Sequence, residues 1–446
     1  MCAACGVPTH VPTGVPAHVP ALDQPLDQPL DQPARFAALR SGPCRMYLGG
    51  AALAMMADNI EHVITYWVLW QKFHSPALTG FEVLSHWLPF LLLSPYFGAL
   101  ADRYDCRRLI AGAQVLFMAV SAAWGVLFAT GTLTVWNACV LLILHGMAGA
   151  LWGPAEQLLL EDFVGPADLP SAIRLNSTAR SLGILLGPVV GSALLLGLGP
   201  VRGILANIAI YLPLTALMAR TTFTGHRRDP ADGNLTRERI GVLAAARVFR
   251  EVSRDRVLVA MITLAGLGSF FVGSAMQTSM PALAAGMGAR STGTAYGVLL
   301  FANGLGGVLG GLLLEGTGWL KLSVRAALCG TAVYGVTSAL FAFSHDFRIA
   351  ALLLVVGGVA NLAALSITQT VVQLRAPRDK RGQVIGLYGV GANGMRIGSG
   401  LTVGVFGAVV GLRASLGLSA VALCAGTAIV AIYLVYPKFH KQNVVT

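Results

Sequence analysis

Residues 98–109 read Gly-Ala-Leu-Ala-Asp-Arg-Tyr-Asp-Cys-Arg-Arg-Leu. This short polar break separates two apolar runs, at about 79–101 and 108–130. Each run exceeds the ≈ 20 residues that a helix needs to cross a bilayer core of about 30 Å. Asp102 falls at a helix end with Arg103, Arg107 and Arg108 close by, where a carboxylate can pair with arginine and with the positive N-terminus of a neighbouring helix. Working outward, similar runs recur at about 46–72, 133–160, 170–196 and 199–219, and after a long polar stretch at 257–282, 292–316, 321–343, 347–374, 383–410 and 413–436. The pattern predicts an all-α membrane protein with twelve transmembrane helices in two pseudo-symmetric six-helix bundles, 46–219 and 257–436. The polar stretch 220–256 is the linker between them.

Composition agrees with that reading. Of 446 residues, 55% are hydrophobic and 11% charged, and the mean hydropathy is +0.69. Soluble domains carry about 25% charged residues, so a soluble enzyme is excluded. The net charge of +11 becomes intelligible once the charges are placed. With both termini on one side, 24 of the 31 Lys and Arg fall on that side. Five lie in the opposite loops (Lys72, Arg202, Arg290, Arg348 and Arg413), and Arg180 and Arg396 lie inside spans. This asymmetry is the positive-inside pattern, with both termini cytoplasmic, and it gives no ground for a nucleic-acid partner. Residues 1–45 are Pro-rich, with Leu-Asp-Gln-Pro three times in a row from Leu22 to Pro33, and read as a disordered cytoplasmic tail without a secretory signal. Residues 437–446 form a short second tail. The seven cysteines have no framework spacing, and Cys2-x-x-Cys5 with His10 and His18 lacks a second ligand pair, so neither a metal centre nor a cofactor is expected. No phosphate-binding loop of the Gly-x-x-x-x-Gly-Lys-Ser/Thr type occurs, so ATP is not the expected energy source.

An internal repeat supports the two halves. Gly98-Ala-Leu-Ala-Asp102 ends the second span, and Gly311-Leu-Leu-Leu-Glu315 ends the eighth, at an offset of 213. The same offset carries Gly187 and Gly191 onto Gly400 and Gly404. Duplicated halves with a midplane site between them are a transporter architecture.

On these residues the chain resembles the major facilitator superfamily. Residues 98–109 are similar to its loop motif G-x-L-a-D-r-x-g-r-r, with Asp105 where glycine is common. Gly183-Ile-Leu-Leu-Gly187-Pro188-Val-Val-Gly191-Ser192 is similar to its antiporter motif, with serine in the last place, although small residues four apart also serve ordinary helix packing. Residues 146–155, Leu169 to Asn176 with Arg180, and Gln369 to Gly404 extend the match toward the enterobactin-exporter and drug:proton antiporter branch. The resemblance implies that Gly98, Asp102, Arg103 and Arg107 gate the cytoplasmic side and that Gly187, Pro188 and Gly191 act in conformational change. It further implies export by antiport from a bacterial inner membrane. His145 stands where the family often has an arginine linked to proton movement, and Arg396 where it has an uncharged residue.

Ionisable groups inside spans point to function, because charge at mid-bilayer is costly unless paired or hydrated. Asp58, Glu61 and His62 share one face of the first span and, with His145, are the candidate proton-coupling set. Arg396, Asn59, Gln277, Gln369 and Asn393 are candidate substrate contacts, and Gln157, Asn303, Asn361 and Gln373 are further cavity polars. Arg180 and Glu156 are expected to form a structural ion pair, and His86 to be a hydrogen-bonded core residue. Tyr66, Trp67, Trp70, Trp87, Tyr296 and Phe301 either line an amphiphile pocket or serve packing and the membrane interface. The expected protein is a monomeric, proton-coupled exporter of a small amphiphile, drug-like compound or siderophore, working with protons and a small-molecule substrate in a lipid bilayer. An importer of a metabolite or ferric siderophore, or a non-transporting scaffold or sensor, are the alternatives.

Overall fold

The structure is a computed structural model that describes residues 34–226, 242–285, 287, 292–317 and 322–435. The Leu-Asp-Gln-Pro repeat, Cys2, Cys5, His10, His18 and the C-terminal tail lie outside the described residues. The first half contains α1 (Gly42–Phe73), α2 (Pro76–Arg103), α3 (Cys106–Thr130), α4 (135–164), α5 (166–198) and α6 (200–220). A short helix, α7 (Val242–Val252), lies in the linker. The second half contains α8 (Arg256–Phe271), which continues after a turn as α9 (Ala275–Ala285). Then come α10 (Thr292–Thr317), α11 (Val324–Phe343), α12 (Phe347–Arg375), α13 (381–410) and α14 (Leu412–Val435). Counting α8 and α9 as one span, the described residues form twelve crossings in two sets of six and no strand.

The sequence dictates the tightest connections. Gly165 (φ 77°, ψ 171°) and Gly199 (φ 75°, ψ 173°) occupy backbone conformations open essentially to glycine alone. Each is followed by a proline, Pro166 or Pro200, at the first position of the next helix, where the missing N–H costs nothing. These two residues turn one helix directly into the next. Other starts are capped by side chains: Ser41 accepts from the backbone N–H of Cys44 at 3.3 Å, and Asp255 from those of Val257 and Leu258 at 2.9 and 3.2 Å.

Two boundaries differ from expectation. Packed structure is present before residue 46: a 3-10 turn at Ala37–Arg40 and the first turn of α1 lie against the bundle. Ala38 is fully buried, and its N–H donates to Ser171 Oγ. The eleventh span is not one regular helix. α13 contains π-helical turns at Val390–Gly394 and Gly400–Val405, on either side of Arg396. Such turns shift helical register and often mark functional sites.

In lipid the hydrophobic effect does little to hold helices together, so close packing at small residues takes over. Gly183, Gly187 and Gly191 place α5 directly on α1, against Ala52 and Met55, Asn59, and Ile60 and Val63 respectively. A Cβ at Gly187 would collide with that of Asn59, next to Asp58 on α1. Gly187→Leu is therefore expected to force α1 and α5 apart and cost about 1–3 kcal/mol. The expected result is a lower melting temperature for the purified protein, with Gly197→Leu, which has open space around it, leaving it unchanged.

Candidate functional site

α1 presents Asp58, Glu61 and His62 from adjacent turns, and α4 brings His145 across to them. His145 Nδ1 lies 2.8 Å from Glu61 Oε1, and its Nε2 lies 2.8 Å from Asp58 Oδ1. Glu61 also accepts from the hydroxyl of Ser121 on α3. Asp58, Glu61 and His145 are all buried. Carboxylate oxygens accept and do not donate, so each His145 contact needs a hydrogen between its two atoms. The triad holds two protons: an imidazolium between two carboxylates, or a neutral imidazole beside one carboxylic acid. His62 joins from the edge, with Nδ1 2.8 Å from the Asp58 carbonyl and 3.7 Å from Asp58 Oδ2. Fixed charge is shared within the cluster, which makes its depth in the bundle tolerable.

His86 on α2 departs from expectation. Its Nδ1 is buried without a hydrogen-bond partner. Its ring packs 4.9 Å from that of His62 and 5.7 Å from that of His145, and 4.5 Å from Trp87. Trp87 in turn carries the guanidinium of Arg396, 4.6 Å above its ring. A chain of touching side chains thus joins the buried acids to Arg396.

A cavity of about 320 Å³ lies between the halves, lined by Glu156, Gln157, Asn176 and Arg180 on one side and by Gln277, Asn303, Asn361, Gln369, Asn393 and Arg396 on the other. Asn59 is not among its walls. Its amide donates to the Met55 carbonyl at 2.8 Å and its side chain faces Gly187, because it is rotated about 100° around α1 from Asp58. Gln373 also stays out of the cavity and donates to Gln157 Oε1 at 2.7 Å across the two halves. Arg180 pairs with Glu156 at 3.2 Å and lies 4.8 Å over the Trp152 ring. Glu156 accepts as well from Tyr47, which accepts from Trp152. Arg396 has no carboxylate partner among the described residues; its Nε reaches only the Ala392 carbonyl, at 3.5 Å. Of the aromatics, Trp67 and Trp70 are half exposed on the outside of the bundle, whereas Phe301 lines a smaller side cavity with Pro188 and Leu185.

The face carrying most of the basic residues is latched twice. Asp102, at the end of α2, accepts the backbone N–H groups of Gly382 (2.5 Å) and Gln383 (2.9 Å), the free donors at the start of α13. Gly98 and Gly382 lie so close that a Cβ on either would strike the backbone of the other. Glu315, the repeat partner of Asp102, does the equivalent at α5: it receives Ser171 Oγ, Arg174 Nε (2.5 Å) and the N–H of Phe36 (2.9 Å). Arg381 pairs with Glu161 between the halves. Arg107 does not pair with Asp102. It forks onto Asp105 (2.7–3.1 Å) and donates to the Thr221 carbonyl, tying the α2–α3 loop to the end of α6. Burial pushes the Asp105 carboxyl up, but the Arg107 side-chain and backbone hydrogen bonds outweigh it and hold it below the usual range. A depressed carboxylate contributes stability above its unfolded value, so this clamp is complete at neutral pH and lost only in strong acid. Asp105 has φ −56° and caps α3, so glycine is not required there. Arg103 is exposed, with its guanidinium 6.0 Å from the Tyr104 ring.

Residues 34–446 match the family model described as transmembrane secretion effector, of the major facilitator superfamily. The chain belongs to this family. Its members are membrane transporters and not enzymes. The multidrug efflux pump Tap of Mycolicibacterium fortuitum is 25% identical over 363 residues, 78% of this chain and 85% of the pump. The macrolide efflux protein A of Streptococcus pyogenes is 23% identical over 192 residues, 42% of this chain; that alignment spans about half of the relative's length. Among solved structures, the major facilitator transporter FucP in the outward conformation superposes with a TM-score of 0.68 at 12% identity, covering 88% of this chain and 98% of that one. At that identity the likeness speaks for the fold. The protein is a multi-pass membrane protein of this family, with the major facilitator fold.

Proposed function

We propose that this family member is a proton-coupled exporter of a small amphiphile bearing an anionic group, working by alternating access around the cavity between its halves. The observation that carries the reading is the Asp58–His145–Glu61 triad: two buried carboxylates sharing protons with one imidazole, joined through His62, His86 and Trp87 to Arg396 in the cavity wall. A group that must hold protons inside the membrane and give them up when the cavity changes state needs such partners. The efflux names of the relatives favour export. The excess of basic residues supports reading the latched face as the cytoplasmic one, in the inner membrane of a bacterium. With that face closed, the described conformation is the outward-facing one. One chain contains both halves of the cavity and acts as a monomer.

The unshared charge of Arg396 selects the substrate class. A carboxylate or catecholate group there would gain a charge-assisted hydrogen bond worth about 1.5–3 kcal/mol. In proteoliposomes with a proton gradient, a catecholate siderophore is expected to be carried against its gradient and a protonophore to abolish this. Arg396→Gln is expected to weaken siderophore binding about tenfold or more while leaving a basic macrolide probe nearly unaffected. Downhill siderophore flux indifferent to the proton gradient contradicts the coupling; equal losses for both probes contradict the role of Arg396.

A further inference from the structure

We infer that His62, His86 and His145, with Asp58, form a binding site for a divalent transition cation of the Zn²⁺ type. Each histidine offers a ring nitrogen, and these three atoms lie within 4.8 Å of one another. Zn–N bonds of about 2.0–2.1 Å in a tetrahedral shell place ligand nitrogens about 3.3 Å apart, so ligation would draw these atoms together by at most about 1.5 Å. The three rings already touch: His62 meets His86 and His145 in T-shaped contacts at 4.9 and 4.8 Å between centroids, and His86 and His145 are tilted at 5.7 Å.

The surroundings of each ring suit ligation. The Nδ1 of His62 points at the carbonyl of Asp58 in its own helix, 2.8 Å away, which fixes the proton there and leaves Nε2 with a lone pair. His86 Nδ1 is the buried nitrogen that finds no protein partner, and a metal is a partner for its lone pair. His145 sits between two carboxylates. Ligating through Nε2, it would keep Nδ1 on Glu61, itself held by Ser121, in the carboxylate–histidine arrangement that supports metal-bound imidazoles. Asp58, now against His145 Nε2, supplies the fourth ligand. Three imidazoles and one carboxylate select Zn²⁺, Co²⁺ or Ni²⁺ over Mg²⁺ and Ca²⁺. An approach exists, since the side chains of His62 and Asp58 keep 20% and 12% of their exposure. Because the ligands come from α1, α2 and α4, a bound cation would pin α2, the helix that bears Asp102 and Trp87, to the other two.

Cation binding is measured on the purified protein, without a transport assay. Full-length protein with Cys2→Ser and Cys5→Ser, so that the tail contributes no thiolates, is purified in detergent without an affinity tag and titrated with Co²⁺. The expected result is saturable visible absorption of tetrahedral Co²⁺ at one equivalent, displaced by Zn²⁺ and indifferent to excess Mg²⁺. His86→Gln, which removes a ligand, is expected to weaken binding by at least the roughly 10–100-fold that loss of an outer-shell partner alone brings. His62→Gln should do the same, each variant being checked by elution volume and thermal melting to be folded. No saturable spectrum, or a spectrum unaltered in folded His86→Gln, overturns the inference. Either result leaves the proton-coupling reading to its own transport test.

Discussion

Asp102→Ala is expected to open the basic face. In the closed form its carboxylate holds two backbone N–H groups at the start of α13, at 2.5 and 2.9 Å. Hydrogen bonds to a charged acceptor contribute about 1.5–3 kcal/mol each, and the helix dipole adds to the attraction. In the open form that carboxylate is solvated, so its loss weakens the closed form selectively. Losing roughly 3 kcal/mol shifts the closed-to-open ratio by about a hundredfold. Spin labels at Arg108→Cys and Arg378→Cys, both exposed and on opposite halves, report this as a longer distance in a background without native cysteines. Asp102→Asn, which keeps one acceptor oxygen, should fall between. Glu315→Gln should shift the equilibrium in the same direction, because Glu315 performs the equivalent task at α5. An unchanged distance distribution in Asp102→Ala contradicts the latch.

His145→Leu is expected to have the largest effect on stability. It leaves Asp58 and Glu61 buried and facing the gap where both shared an imidazole. Removing one partner from a buried charged network typically costs 3–5 kcal/mol. Thermal melting of the purified protein should therefore fall by many degrees, with proton-driven transport lost. Adding Asp58→Asn and Glu61→Gln to His145→Leu should recover most of the melting temperature without recovering transport. This rescue separates an electrostatic defect from a packing defect, since the volume lost with the imidazole is the same in both proteins. A melting temperature unaffected by His145→Leu contradicts the charge-sharing account.

Much of this was legible in the chain. The spans follow from apolar length alone, and Asp102 announced a helix-end role by its arginines and by its repeat at Glu315. Residue spacing also put Asp58, Glu61 and His62 on one face of α1. The partnership with His145 was not legible as geometry, since 84 and 87 residues separate it from Glu61 and Asp58. It depends on the rotation of α4 against α1, which side-chain packing sets. The same holds for His86, which the packing of α2 brings against His62 and His145. Asn59 shows the reverse limit: its neighbours in sequence are functional candidates, but one residue is 100° of helix, enough to turn it onto Gly187. The π-helical turns beside Arg396 left no signal beyond abundant glycine. Arg107 looked like a partner for Asp102 by proximity, but Asp105, two residues away and at the cap of α3, takes it first.

Proton exchange at the Asp58–His145–Glu61 triad is the central claim, and proton release on substrate binding tests it most directly. Purified protein in weakly buffered detergent solution, with a pH-sensitive dye, receives the catecholate siderophore probe while binding is followed in parallel. The account predicts about one proton released per bound siderophore in the unaltered protein, and none in Asp58→Asn, which still binds the probe. Siderophore binding without proton release in the unaltered protein, or equal release from Asp58→Asn, would contradict it.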